Sequence, residues 1–460
     1  MDIERIQGRA GSVTSWLFVL AGTVAGVALL ALGQGLTFFA DEWAVIEGRS
    51  FDLDSFLRPF NEHWLGMTIL VYRLMFDVFG LGSYVPYLVL LIALHLVLAS
   101  EVFILVRRAA GPPAGLVAGV VILFFGSGFE DLFWAMQIGF IGAAVLGFGA
   151  MLALDGEPSR GRALAATALL AAAVSTSGLG LVMVAAVGLE LLADRRRRRL
   201  IAVAIVPLLI YLAWYLALGR AGVATARDPF TLEALGQVPA FVIQGAGAAA
   251  GGISGLGPLV GIGLIAAVVG AVGWRWIHGD GVPARTVGCL GGVLALYVLT
   301  GLVRAQLVAD AALYTRYTYL AGPLLLVALG ALVGPDLARL RVAPRARMAV
   351  VAGGASLVVL ALSWNLQLLV AGRALFLERA ERTRALVTVA LAPLPLDVEP
   401  DRTLILVPSP ESLERLVAIH GTPLSDPFVV GGVPPVSDAA LADAIRRAEE
   451  RKGPMGALPQ

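Results

Sequence analysis

The chain has 460 residues, of which 58% are hydrophobic and 15% charged, with a mean hydropathy of +0.84. A soluble globular domain is nearer half apolar and a quarter charged, so these figures exclude a soluble enzyme, a disordered chain and a nucleic-acid-binding protein. The net charge of +1 creates no long-range field for an acidic partner. The single cysteine, Cys289, excludes an intrachain disulfide.

Arg5 and Arg9 precede an apolar stretch from Val13 to Phe39. It is too long for a signal-peptide core and lacks a small-residue cleavage site, so it reads as an uncleaved first transmembrane helix. Next come a short helix at 52–58 and an apolar segment at 63–79 that Arg73 and Asp77 interrupt. Their i,i+4 spacing supports an ion pair on one helix face, and burying both charges in lipid would be costly. The segment 63–79 therefore reads as an amphipathic helix lying along the outer interface. Further spans are expected at 84–106, 113–126, 137–154, 163–175, 178–193, 200–218, 256–277, 286–304, 317–334 and 348–370, which gives about 11 transmembrane helices in an all-α polytopic membrane protein. A second non-spanning outer segment is expected at 231–252, and the Gly-rich run 245–257 reads as membrane packing or an outer loop.

Arginine placement sets the orientation. With a cytoplasmic N-terminus, the inner loops receive Arg107, Arg108, Arg160, Arg162, the run Arg195–Arg199, Arg275, Arg285, Arg339, Arg341, Arg345 and Arg347. The outer face receives fewer, scattered ones. An odd number of spans then places the C-terminus outside. From Ala371 the composition turns charged and Pro-rich. Residues 1–370 read as the membrane domain and 371–460 as a small extracytoplasmic α/β appendage, with a strand at Thr403–Val407 and helices at Glu411–His420 and 437–452.

No P-loop, no dinucleotide-binding GxGxxG, no HExxH and no metal-spaced Cys/His cluster is present. The chemistry-bearing residues collect instead at the expected outer face. Asp41, Glu42 and Trp43 follow the first span directly. Partial desolvation and a neighbouring like charge both raise a carboxylate pKa, and such a group serves as a general base toward a hydroxyl. Helical neighbours point about 100° apart, so one of the two acids is expected to face a substrate. The plain alternative is a polar stop with an interfacial Trp. His63 precedes the amphipathic helix, where a capping or solvated histidine is the competing role. The second outer loop carries Glu130 and Asp131 beside aromatics and Gln137; helix capping by Asp131 competes there. The last outer loop holds Arg304, Arg316 and Tyr317. Arginine offers a planar fork to phosphate oxygens, while snorkelling Arg and an interfacial Tyr belt are the alternative.

The run Asp41-Glu42-Trp43, the stretch Asn61–Trp64 with its amphipathic helix, and Arg316-Tyr317-Thr318-Tyr319 resemble bacterial membrane glycosyltransferases of the GT-C superfold. The run Phe133–Phe140 looks like an actinobacterial branch of it, and the resemblance covers about 1–370. It implies a polyprenyl-phosphate-linked sugar donor, attacked on the outer face by an acceptor hydroxyl. It implies Asp41 as base or acceptor-binding group with Glu42 second, a second-loop acid at Asp131 or Glu130 that is a metal ligand in some members, and donor-phosphate binding by Arg316 and Arg304. His63, Gln137 and Tyr317 join the substrate-binding set. No cofactor is certain, and a divalent metal stays open. The expected function is transfer of sugar to a glycan, lipid or protein acceptor at a bacterial plasma membrane, with membrane lipid as the surroundings. A transporter or flippase, or a non-catalytic protein of cell-envelope assembly, are the rivals.

Overall fold

A computed structural model describes residues 2–61, 63–222, 231–306, 310–339, 344–391 and 410–450. Every expected span is helical, as it must be where lipid offers the backbone no hydrogen-bond partner. Among the described residues eight helices are long and apolar enough to cross a membrane, and a ninth crossing forms if Pro112–Leu123 and Gly126–Phe133, bent by 44°, are taken together. The two remaining expected spans are the shorter helices Arg160–Thr176, with 17 residues, and Leu179–Ala193, with 15. At a rise of about 1.5 Å per residue each is shorter than a hydrocarbon layer of about 30 Å.

The bundle has a centre and a rim. The windows of Ala135–Leu154 and Thr315–Leu337 are 67% buried, whereas that of Gly257–His278 is 6% buried and faces outward. Leu232–Ser254 covers the expected non-spanning segment and is not among the membrane-crossing helices. It pairs with Gly257–His278 backbone against backbone: a Cβ at Gly261 would meet the Gly247 carbonyl, and one at Gly251 the Gly257 carbonyl. The Gly-rich run is thus a packing surface.

The ends of the bundle are sorted by charge. At one end Asp155 pairs with Arg108 and Arg285, Glu190 pairs with Arg285 and Arg197, and Arg275 pairs with Asp336. These residues come from the turns that the arginine bias assigned to one side. At the other end lie helix Asp41–Gly48, Leu53–Leu57 and Gly66–Phe79. Gly66–Phe79 is the expected amphipathic helix. It buries Ile69, Tyr72 and Phe76, and its Arg73–Asp77 pair closes at 3.3 Å.

The first helix stops earlier than expected, at Leu32, and Asp41 begins a new helix instead of ending the first. Gly35, at φ +81°, turns the chain where a side chain would be strained. The last helix, Pro344–Leu391, has 48 residues and runs unbroken through the composition change at 371. At about 72 Å it is far longer than the bilayer. Among the described residues there is no strand, only an isolated bridge between Phe60 and His63; the expected strand Thr403–Val407 lies outside the described residues. The expected C-terminal helices form as Pro410–His420 and Asp438–Glu450. The first docks where the Leu81 N–H donates to the His420 carbonyl at 2.7 Å. The second packs Ala444 on Ala385 and Val389 of the last helix. Between them, Asp426 accepts from Ser83 Oγ and the Tyr84 N–H at 2.9 Å each.

Candidate active site

The segment 33–43 places the first acids. Ala40 adopts φ +49°, ψ −116°, outside the usual regions for an L-residue, at a cost on the order of 1–3 kcal/mol. Neighbouring contacts hold it there. The Glu42 carboxylate reaches back to accept the Phe39 N–H at 2.6 Å, and it also accepts the hydroxyls of Tyr72 at 2.8 Å and Tyr84 at 3.0 Å. Glu42 is fully buried with these partners, and burial pushes its pKa up to about 8. It is enclosed by the fold and faces no open space. Asp41 is half-buried, and among the described residues no group donates a hydrogen bond to its carboxylate. Burial raises its pKa above the usual 3.8, opposed by the charges of Arg316 and then Arg304. Those three side chains, from three distant parts of the chain, are therefore electrostatic neighbours.

The second acid pair sits in the broken crossing. After Leu123 the chain leaves the α-helix at Gly126–Gly128 and restarts at Phe129–Phe133. Asn365 of the last helix fills the break. Its Oδ1 accepts from the Ser127 N–H and Oγ at 2.9 and 3.0 Å, and its Nδ2 donates to the Gly252 and Ala361 carbonyls at 2.8 Å. Irregular backbone at this depth survives only where protein groups satisfy it. Glu130 accepts the Thr315 hydroxyl at 3.0 Å, which ties this turn to the start of helix Thr315–Arg339. Asp131 is fully buried, and neither carboxylate oxygen has a hydrogen-bond partner. Arg316 is among the charges that act on it. Arg316 lies 4.9 Å over the Tyr314 ring and 5.5 Å over that of Tyr317, with its Nε unpartnered.

Two bridges hold the acid loops together. Tyr84, whose hydroxyl donates to Glu42, accepts the Ala135 N–H at 2.8 Å. Trp134 Nε1 donates to the Phe39 carbonyl at 3.3 Å. Of the residues singled out in the sequence, Asp41, Glu130, Asp131, Arg304, Arg316 and Tyr317 thus form one connected group. Gln137 is buried at the start of Ile138–Leu154, with its N–H donating to the Trp134 carbonyl at 2.9 Å. His63 is placed elsewhere, against Gly178 at the junction of the two short helices. Among the described residues no three His, Cys, Asp or Glu side chains gather to hold a metal ion.

Sequence reasoning missed Arg379, Tyr72 and Tyr84. Arg379 lies 4.7 Å from the Phe376 ring and 5.2 Å from that of Phe39, within electrostatic reach of Glu130 and Arg316. Its signal was present as a series of arginines continuing the last apolar run, at Arg373, Arg379, Arg382 and Arg384. The tyrosines carried no signal beyond an interfacial belt.

No protein-family model and no curated protein matches the chain. Two solved structures are similar to it. One is ArnT from Cupriavidus metallidurans bound to undecaprenyl phosphate, at 16% identity and TM-score 0.52, covering 88% of each chain. The other is ArnT from the same organism in the apo state, at 16% identity and TM-score 0.53, covering 90% of each. The chain is a multi-pass helical membrane protein with the GT-C fold.

Proposed function

We propose that the chain is a membrane glycosyltransferase that moves a sugar from a polyprenyl-phosphate donor to an acceptor hydroxyl. What supports this reading most is the meeting of Asp41 with Arg316 and Arg304 at one end of a GT-C fold. A base and a phosphate-binding cation are the two groups this reaction requires at one depth. The similar ArnT structure is of a protein bound to undecaprenyl phosphate.

In this mechanism Asp41 takes the acceptor hydroxyl proton as the oxygen bonds to the anomeric carbon. The carbon–oxygen bond to the lipid phosphate breaks, and its electron pair stays on phosphate. Arg316 and Arg304 hold that phosphate. Glu42 does not take part directly; its bonds to Phe39, Tyr72 and Tyr84 fix the backbone that presents Asp41. Enclosed by tyrosines, it serves as a positioning group. Asp131, Glu130 and Tyr317 line the donor side next to Arg316.

The test is sugar transfer by purified protein in lipid nanodiscs, with a panel of undecaprenyl-phosphate sugars. Asp41→Asn should lower turnover about 10²–10⁴-fold with donor binding kept. Arg316→Ala should mainly weaken donor binding. Normal turnover by Asp41→Asn would remove that residue from the mechanism.

We also infer a cytoplasmic N-terminus, with the Asp41 end outside, from the arginine-rich opposite end. Because the two short helices are consecutive, the inference is the same whether or not they cross. Reporters fused after Arg199 and after position 450 should lie on opposite sides of the membrane; both on one side would overturn it.

A further inference from the structure

Arg379 stands on helix Pro344–Leu391, in the charged part that follows the composition change at 371. Its guanidinium rests against two aromatic rings, Phe376 on its own helix and Phe39 just before the strained Ala40. Among the described residues it forms no hydrogen bond and no ion pair. Arg316 is held in the same manner, on Tyr314 and Tyr317, with Nε unpartnered. The two guanidiniums are close enough to act on each other, and Glu130 is the acid that acts on both. Yet Glu130 receives its hydrogen bond from Thr315. Phe376, on which Arg379 rests, also meets Phe129 at 6.3 Å, beside the Glu130 that Thr315 ties to the Arg316 helix. Two ring-held cations flanking one turn, one with its whole fork open, form a preorganised site for an anion. The cations that act on Asp41 most are Arg316 and Arg304.

Resting on the glycosyltransferase reading, we propose that Arg379 takes up the second negative charge that develops on the lipid phosphate as the sugar departs. The donor is a phosphodiester with one negative charge. When the anomeric carbon–oxygen bond breaks, the released oxygen keeps the electron pair. The acceptor proton passes to Asp41 and then to water. The lipid product is a phosphate monoester, which carries about −1.5 to −2 at neutral pH. Arg316 and Arg304 suffice for the diester, and Arg379 adds to them as the second kind of contact. A contact that meets its full partner only in the transition state and product raises turnover without tightening ground-state binding. Arg379 is therefore assigned to the leaving group, and the site as a whole favours the monoester over the diester.

The experiment compares binding of two probes to wild type and variants in nanodiscs: undecaprenyl phosphate and its methyl phosphodiester. Arg379→Gln should weaken the monoester about tenfold or more while changing the diester less than about twofold. Arg379→Lys should recover part of the monoester affinity. Arg316→Ala should weaken both. In turnover, Arg379→Gln should lower kcat with little change in donor KM. Equal weakening of both probes, or of neither, would overturn the proposal, as would equal affinity of wild type for phosphatidic acid. Selective monoester loss without sugar transfer from any donor would overturn the glycosyltransferase reading alone, so the two failures are distinguishable. The comparison uses variants that keep the wild-type unfolding midpoint; if the Gln variant does not, Arg379→Lys carries the same test through a smaller loss confined to the monoester.

Discussion

Two buried acids at opposite ends of the bundle, Glu190 and Asp131, are treated in opposite ways. At the arginine-rich end Glu190 is 3% exposed, and both its oxygens are engaged: Arg285 donates at 2.6 and 2.9 Å and Arg197 at 3.2 Å. Asp155 links Arg285 onward to Arg108. At the other end Asp131 is fully buried with both oxygens unpartnered, Arg316 keeps an unpartnered Nε, and Arg379 has its fork unfilled among the described residues. A buried polar group without a partner costs about 1–3 kcal/mol, and native folds rarely leave one without a use. On the proposed reading, the difference separates a network that holds helices together from one that the donor phosphate completes.

The largest expected effect tests the first half of this comparison. Glu190→Ala leaves Arg285 and Arg197 facing each other without their shared acid. It should destabilise the protein by about 3–5 kcal/mol, read as a lowered unfolding midpoint in mild detergent, with turnover per folded molecule unchanged. A loss under about 1 kcal/mol, the scale of an exposed pair, would erase the contrast.

Asp131→Asn tests the other half. It removes a carboxylate that has no donor within the fold, so stability should stay within about 1 kcal/mol of wild type or rise, while monoester and donor binding change. A large loss of stability would show that Asp131 has a structural partner after all and would move it to the first category.

Glu42→Gln sharpens the comparison within the acid end itself, by separating the satisfied carboxylate from the open one. With a folded pKa of about 8 against an ordinary 4.5, Glu42 stays neutral in the folded chain while the unfolded chain ionises. Its contribution to stability is complete below pH 4.5 and is lost as pH rises through 8. Wild type should therefore lose stability across that window, and Glu42→Gln should flatten the profile. The amide also turns a donor toward the Phe39 N–H, so the variant starts about 1–3 kcal/mol lower at acid pH. An unchanged slope would mean that Glu42 is not the titrating group.

The smallest effect concerns Asp41. If it acts as the base, turnover should rise with pH through a pKa above 3.8, because burial outweighs the two arginines. Removing Arg316 takes away the larger opposing charge, so the acid limb in Arg316→Ala should move to higher pH. A limb that stays in place would separate the two residues.

Much of the framework was legible before any tertiary contact was known. The amphipathic helix was readable because Arg73 and Asp77 interrupt an otherwise apolar face at i,i+4 spacing, and they pair as that spacing requires. The short pair around Ser177 was readable as two apolar helices, although hydropathy registers apolar length only coarsely. The end of the first helix was misplaced because Phe38 and Phe39 continue its apolar run after Gly35 has already turned the backbone.

Within the acid loop the limit is sharper. Asp41 and Glu42 are adjacent and chemically alike, so the sequence could offer both as bases. Their environments differ because Tyr72 and Tyr84, from separate segments, close over one and leave the other open. Arg379 was counted with the C-terminal appendage because charge rises after Ala371, although the helix continues. Its partners Phe39 and Arg316 lie far away in the chain.

The sequence by itself determined the membrane class, the helices and the sorting of arginines to one end, because lipid imposes hydropathy and internal backbone bonding segment by segment. Only the tertiary structure decided that Asn365 holds the broken crossing, that Glu42 is enclosed while Asp41 is not, and that Arg316 and Arg379 come within electrostatic reach of each other. Those outcomes depend on side-chain directions from helices distant in sequence, and no local period or spacing encodes where such side chains meet.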